Sequence, residues 1–292
     1  MALTKLTVVL SYFIFLLGIL SACFSQETLP DGCPPDCRKV DFTGVNLEQI
    51  NLQEADLWQA DLSGANLREA NLGKSDLSGA NFSNAEMYKA DLKAANLTGA
   101  NLNQANLEQT NLYGVDLRGA DLRGANLVGA DLSKANLQIA EIDATTQLDN
   151  KWRLVWEIIN QSQNTPPSRD LWKADLSGAN LNGVVLLDTD LRQANLSRVD
   201  LGKASLVRVN LYGADLREAN LSQTDFASVN LNEANLMNVD FTEANLSRAD
   251  LNGANLAGAN LSGTNLNQAK YNEFTIWPEG FKPEEAGAVL SE

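Results

Sequence analysis

Ala60-Asp61-Leu62-Ser63-Gly64-Ala65-Asn66-Leu67-Arg68-Glu69-Ala70-Asn71-Leu72 repeats one five-residue sentence. A leucine stands at every fifth place. Asp or Asn precedes it directly, alanine stands two places before it, and two polar or glycine residues follow. Period five is neither the 3.6 of a helix nor the 2 of a flat strand. A helix would smear leucine and alanine around its whole circumference. A chain that turns a corner every five residues keeps both inside and sends the other three outward.

Working outward, the pattern holds from Phe42 through Leu47, Leu52 and Leu57 to Leu137 and Ile142, and again from Leu171 to Leu266 and Tyr271. The two arrays differ in phase, because 29 residues separate Ile142 from Leu171. Glycine in the last place, as in Gly64, Gly79, Gly99 and Gly119, suits a tight turn. One repeat buries nothing alone, so stability must come from stacking neighbours at the ordinary strand spacing of about 4.8 Å. Departures are few: Val185 and Leu187 are apolar where polar residues belong, Ser205 replaces Asn or Asp, and Glu86-Met87-Tyr88 is irregular.

The unit Ala-(Asp/Asn)-Leu-x-x resembles the pentapeptide-repeat family. The resemblance implies an all-β solenoid: a right-handed, four-sided β-helix with four repeats per coil. Positions 20 apart then lie one above another, and each array makes about five coils, roughly 24 Å long. The stacked Asn and Asp columns read as solvated turn-formers, since the acids show no arrangement beyond composition. Some members of the family resemble duplex DNA in shape and charge and occupy type II topoisomerases, which supplies the alternative reading of an acidic DNA mimic.

Between the arrays, Asp149 or Asn150 is placed to cap a short α-helical insert through Ile159. Trp152, Val155, Trp156 and Ile159 share one helical face. Thr165-Pro166-Pro167 stops it. That face is expected to cover a coil edge near Val185 and Leu187; a partner-binding helix is the other reading. Similar segments interrupt pentapeptide arrays in cyanobacterial proteins. The domain reading is therefore 1–23 export signal, 24–39 tether, 40–142 first array, 143–168 insert, 169–272 second array and 273–292 a C-terminal cap, with a homodimer contact through that cap as the alternative.

At the N-terminus, Lys5 precedes a nearly unbroken apolar run from Leu6 to Leu20. A basic start, such a run and then small residues read as a secretory signal. Leu20-Ser21-Ala22-Cys23 resembles the bacterial lipobox, which implies lipidation at Cys23. The expected address is exported and membrane-anchored, in the periplasm or envelope or the thylakoid lumen. Cys33 and Cys37 are near enough to close a disulfide in an exported protein, as a brace at the first coil.

Chemistry is sparse. The 292 residues carry 22 Lys and Arg against 37 Asp and Glu, a formal charge of −15, and no histidine. Acidity argues against a nucleic-acid binder. The missing histidine removes His triads and His metal sites. No phosphate loop or nucleophile elbow is present, and no catalytic residue, cofactor or metal is assigned. The reading is a non-enzymatic scaffold or spacer with an unidentified protein partner. One outward column stands apart: Trp172, Arg192 and Tyr212, 20 apart, with the guanidinium placed to lie between two rings, either as a surface ladder that fixes coil register or as a candidate patch for a partner or glycan. Arg198 is expected beside Glu218.

Overall fold

A computed structural model describes residues 29–30, 32–161 and 170–291. Parallel bridges join each residue before a centre to its counterpart 20 positions on, from Asp36 with Asp56 to Asp121 with Glu141, and from Asp170 with Asp190 to Asp250 with Lys270. Twenty residues per coil and five per repeat give four sides.

The regular repeat pairs each of its backbone N–H groups by one scheme. In Asn46-Leu47-Glu48-Gln49-Ile50, the N–H groups of Leu47 and Gln49 donate to the next coil, at Asn66 and Arg68. Ile50 N–H donates to Leu47 in the turn. Glu48 N–H has no backbone partner and donates to the Asn46 side chain instead. One coil on, Asn66 N–H donates back to Val45. An Asn or Asp before the centre is thus an acceptor for an otherwise orphaned donor. In every turn of both arrays the second residue after the centre has positive φ, from Lys39 at 56° to Gln268 at 59°. Positive φ at that place alone makes these type II turns. Glycine fits there without strain, but Gln, Glu, Lys and Arg also occupy it; their stacked side chains offer hydrogen bonds, such as Gln49 to Glu69 at 2.9 Å.

Inside, the centres form a continuous stack, with Leu47 to Leu137 and Leu171 to Leu256 all buried. Ala and Val fill the small slots. Threonine is tolerated in those slots because its hydroxyl finds a carbonyl: Thr110 donates to Met87 and Thr224 to Leu201.

Three boundaries differ from the sequence reading. The first coil begins at Asp36, inside the stretch 24–39 read as a tether, because Cys37 fills a centre slot and is fully buried. Cys33 and Cys37 are joined in a disulfide with Cα atoms 4.8 Å apart. The first array runs past Ile142: Gln147 pairs with Asn126, 21 residues away, and Leu148 takes the next centre slot. The second array does the same, with Ile276 pairing Asn255 and Trp277 following, inside the stretch 273–292 read as a cap.

Both extra residues are accommodated by one local design. Asp143 accepts from Gly124 N–H and Asn272 from Gly253 N–H, each in the coil before. Three residues on, the hydroxyls of Thr146 and Thr275 each accept from that Asx N–H and donate to a centre carbonyl, Leu122 or Leu251.

After the first such ending comes helix α1, Asn150–Gln161. It covers the open edge of the last coil with side-chain hydrogen bonds. Trp156 Nε1 donates to Ala140 O at 2.7 Å, Arg153 donates to Thr146 O, and Asn160 both donates to Leu137 O and accepts from Ile139 N–H. Its buried residues are Trp152, Val155 and Ile158, whereas Trp156 and Ile159 are half-buried. The heptad-like spacing read from sequence put Ile159 and Trp156 on the inner face; the indole instead lies at the rim, where its N–H reaches a carbonyl. Val185 stays 40% exposed.

After the second ending, the chain folds back so that strand β2, Val289–Leu290, pairs in parallel with β1, Lys270–Tyr271. Trp277 stacks on Phe281 at 5.2 Å and meets the edge of Tyr271 at 5.6 Å. Among the described residues, one backbone hydrogen bond joins the two arrays directly, Lys134 N–H to Gly178 O.

Candidate interaction surface

The outward positions form columns with distinct chemistry. Before the centres, amides and carboxylates stack. Asn81 Nδ2 donates to Asp61 Oδ1 at 3.0 Å, and Asn101 Nδ2 donates to Asn81 at 3.0 Å. Every such bond among the described residues runs from the later coil to the earlier one, as in Asn220 to Asp200 and Asn245 to Asp225. An aspartate can receive such a bond but cannot pass it on. The columns are hydrogen-bonded ladders, which the reading of solvated turn-formers did not anticipate.

Where two acids stack, an arginine just after one centre bridges them in two of the cases. Arg38 pairs with Asp36 at 2.8 Å and approaches Asp56 at 3.5 Å. Arg123 pairs with Asp121 at 2.8 Å and approaches Glu141 at 3.6 Å. The Arg38 hydrogen bonds hold the Asp36 carboxyl down at about 2. Asp143 is also held at about 2, first by the Thr145 hydroxyl. Among the described residues no group of His, Cys, Asp and Glu could hold a metal ion.

Trp172, Arg192 and Tyr212 do stand on successive coils, since Lys173 N–H donates to Arg192 O and Gln193 N–H to Tyr212 O. The guanidinium is not between the rings. Arg192 forks onto Asp190 at 2.8 and 2.5 Å, which lowers the Asp190 pKa. A carboxylate two residues away outcompetes an aromatic face for a guanidinium. Trp172, 53% exposed, carries Lys173 Nζ at 4.3 Å instead, and Tyr212 donates to Glu233 at 2.7 Å. Arg198 meets Glu218 at 3.0 Å. Cys23 lies outside the described residues.

Sequence reasoning missed the grooves where the arrays meet. Tyr113, Lys134, Lys151, Ser177 and Arg198 line one of about 470 Å³. The signal was available in part: the phase shift between arrays forces a break in every ladder.

No curated protein matches this chain. Among solved structures, HetL, a pentapeptide repeat protein involved in heterocyst differentiation regulation from the cyanobacterium Nostoc sp. strain PCC 7120, is 30% identical over 83% of this chain and 93% of its own, with a TM-score of 0.33. Rfr23 from the cyanobacterium Cyanothece 51142 is 35% identical over 39% of this chain and 91% of its own, with a TM-score of 0.31. QnrB1, a plasmid-mediated fluoroquinolone resistance protein, is 12% identical over 88% and 93%, with a TM-score of 0.25. A model of pentapeptide repeats matches residues 36–59, 60–99, 100–138 and 170–206, and a model of a pentapeptide repeat region matches 194–271. With these matches and four five-residue sides to each coil, the chain belongs to the pentapeptide repeat family, whose fold is the right-handed quadrilateral β-helix.

Proposed function

We propose that this protein is an exported, lipid-anchored β-helix that serves as a protein-interaction scaffold or envelope spacer. The observation that carries the address is the N-terminal sequence: Lys5, the apolar run Leu6–Leu20, then Leu20-Ser21-Ala22-Cys23. The physical support for a scaffold is the surface. Its faces are rows of short, mutually bonded polar side chains on a rigid frame, suited to presenting a fixed pattern to a partner. The family consists of structural and interaction proteins in general. The DNA-mimic reading rests on the charge of −15 and is incompatible with export.

Metabolic labelling with radioactive palmitate, for the parent and for Cys23→Ala, tests the anchor. Label in the parent and its loss in the variant is the expected result. Equal labelling of both, or of neither, removes the lipid anchor. Crosslinking of the parent and of Trp172→Ala/Tyr212→Ala tests the scaffold role of the second array. If the variant keeps every crosslinked partner, that column is structural only.

A further inference from the structure

We infer that the groove at the junction of the two arrays binds a short anionic oligosaccharide of the uronic-acid type. Three cations, Lys134, Lys151 and Arg198, line it and the hollow beside it, with three acids, Asp131, Asp200 and Glu218. That balance is richer in cations than the chain's own 22 against 37 acids. Arg198 is paired with Glu218 at 3.0 Å and Lys151 with Asp175 at 3.8 Å, which leaves Lys134 as the uncommitted cation. Lys134 is exposed and has no carboxylate within ion-pair distance among the described residues. Its Nζ lies 5.8 Å from the Tyr113 ring centre, which Lys93 approaches at 5.4 Å.

The break in register creates the space. Within the regular part of each array, outward positions stack on those 20 residues away. Here Ser133 and Lys134 end one set of columns, while Ser177 and Gly178 begin another. Any side chain at Gly178 would press on Ser133, its Cβ coming 3.3 Å from Ser133 Oγ, so glycine keeps the floor open. Helix α1 supplies the third cation: Lys151 Nζ is held by Ser177 Oγ at 2.9 Å. A second cavity of about 180 Å³ shares Lys134, Arg198 and Glu218 and runs on along Asn180 and Asn220. The two cations therefore stand on the rim between adjoining hollows, the geometry of an extended ligand.

The lining decides the ligand class. Hydroxyl and amide side chains are as numerous as charged ones, and Val199 is the one aliphatic side chain across the two hollows. A peptide would need apolar pockets for its side chains. A sugar acid presents hydroxyls to Ser133, Ser177 and Ser197 and carboxylates to Lys134 and Arg198, as charge-assisted hydrogen bonds. Adjoining hollows of about 470 and 180 Å³ suit a few sugar rings.

Calorimetric titration at low salt with tetragalacturonate tests this, using the full chain. The parent should bind it. Lys134→Ala and Arg198→Gln should each weaken binding about tenfold, the loss of one charge-assisted contact. Arg68→Ala, outside the groove, should bind like the parent. Thermal melting of both groove variants checks that they fold, and since both side chains are exposed, either variant suffices if the other does not. The inference is overturned if the parent does not bind, if Lys134→Ala/Arg198→Gln binds as tightly as the parent, or if neutral maltotetraose binds equally well. Equal or tighter binding of tetraglutamate overturns it too and identifies an acidic-peptide surface.

Discussion

Changing Asn81 to aspartate tests the directional ladder with a single exchange of N for O. Asn81 accepts from Asn101 Nδ2 at 3.0 Å and from Ser83 N–H at 3.2 Å, and it donates to Asp61 at 3.0 Å. Asn81→Asp keeps both acceptor roles. It replaces the donation with two carboxylates in contact. The lost bond to a charged acceptor costs about 1.5–3 kcal/mol. Two charges about 3 Å apart add roughly 1.4 kcal/mol at the dielectric of water and more at a half-buried site. Protonation sets a ceiling. Holding one carboxyl neutral at pH 7 costs about 4 kcal/mol, and the protonated acid can donate to Asp61 again. The expected loss at pH 7 is therefore about 2–4 kcal/mol, or roughly 3–7 °C in a two-state melt of a chain this size. The folded variant binds its proton more tightly than the unfolded chain does. Its deficit is thus full above the raised folded pKa and shrinks as pH falls through that value. Melts of the parent, Asn81→Asp and Asn81→Ala at pH 7 and pH 4 decide the matter. Asn81→Ala should show a deficit that changes little between the two. If Asn81→Asp is no worse than Asn81→Ala at pH 7, or if its deficit persists at pH 4, the ladder argument fails.

Leu102→Ala should cost about 2–5 kcal/mol in chemical denaturation, because Leu102 is fully buried. The neighbouring Asn103→Ala should stay within about 0.5 kcal/mol, and equal costs would contradict the inward and outward assignment. Ala94 has φ of 55°. Ala94→Gly should therefore be neutral or mildly stabilising, whereas Ala94→Val should cost about 1–2 kcal/mol, both read from melting. The Tyr271 hydroxyl donates to Glu284 and holds that carboxyl below its ordinary range. That support for the C-terminal fold-back is present above the ordinary glutamate pKa and is lost as pH falls through the lowered one. Hydrogen exchange at Val289 and Ser291 should rise across that window in the parent, and Glu284→Gln should remove the pH step.

The coil was legible because its rule is carried by every repeat. A period of five with one large and one small apolar residue leaves few ways to hide both. The endings were not legible, because Asp143-Ala144-Thr145-Thr146 and Asn272-Glu273-Phe274-Thr275 share only two side chains that matter, the Asx and the Thr. Their spacing differs from five by a single residue, which reads as decay of the pattern. The aromatic column failed in its detail for a different reason. Residues 20 apart do stack, but Asp190 lies two places from Arg192 and claims it first. Stacking geometry follows from period; partner choice follows from which charge is nearest.

The paired endings also set the length of this molecule. A stack of identical coils contains nothing that tells it when to stop, much as a ruler has no natural last mark. Here an Asx and a Thr with one added residue act as a written full stop, and they are used twice, each time before a different covering element. Twenty residues of ordinary repeat inserted upstream of Asp143 would lengthen the rod by about 4.8 Å while leaving its terminus unchanged. Transplanted behind another array of this kind, the seven residues Ile142 to Leu148, followed by helix α1, become a portable terminator. The distance between the two ends of such a rod is then a heritable quantity, adjustable in steps of one coil.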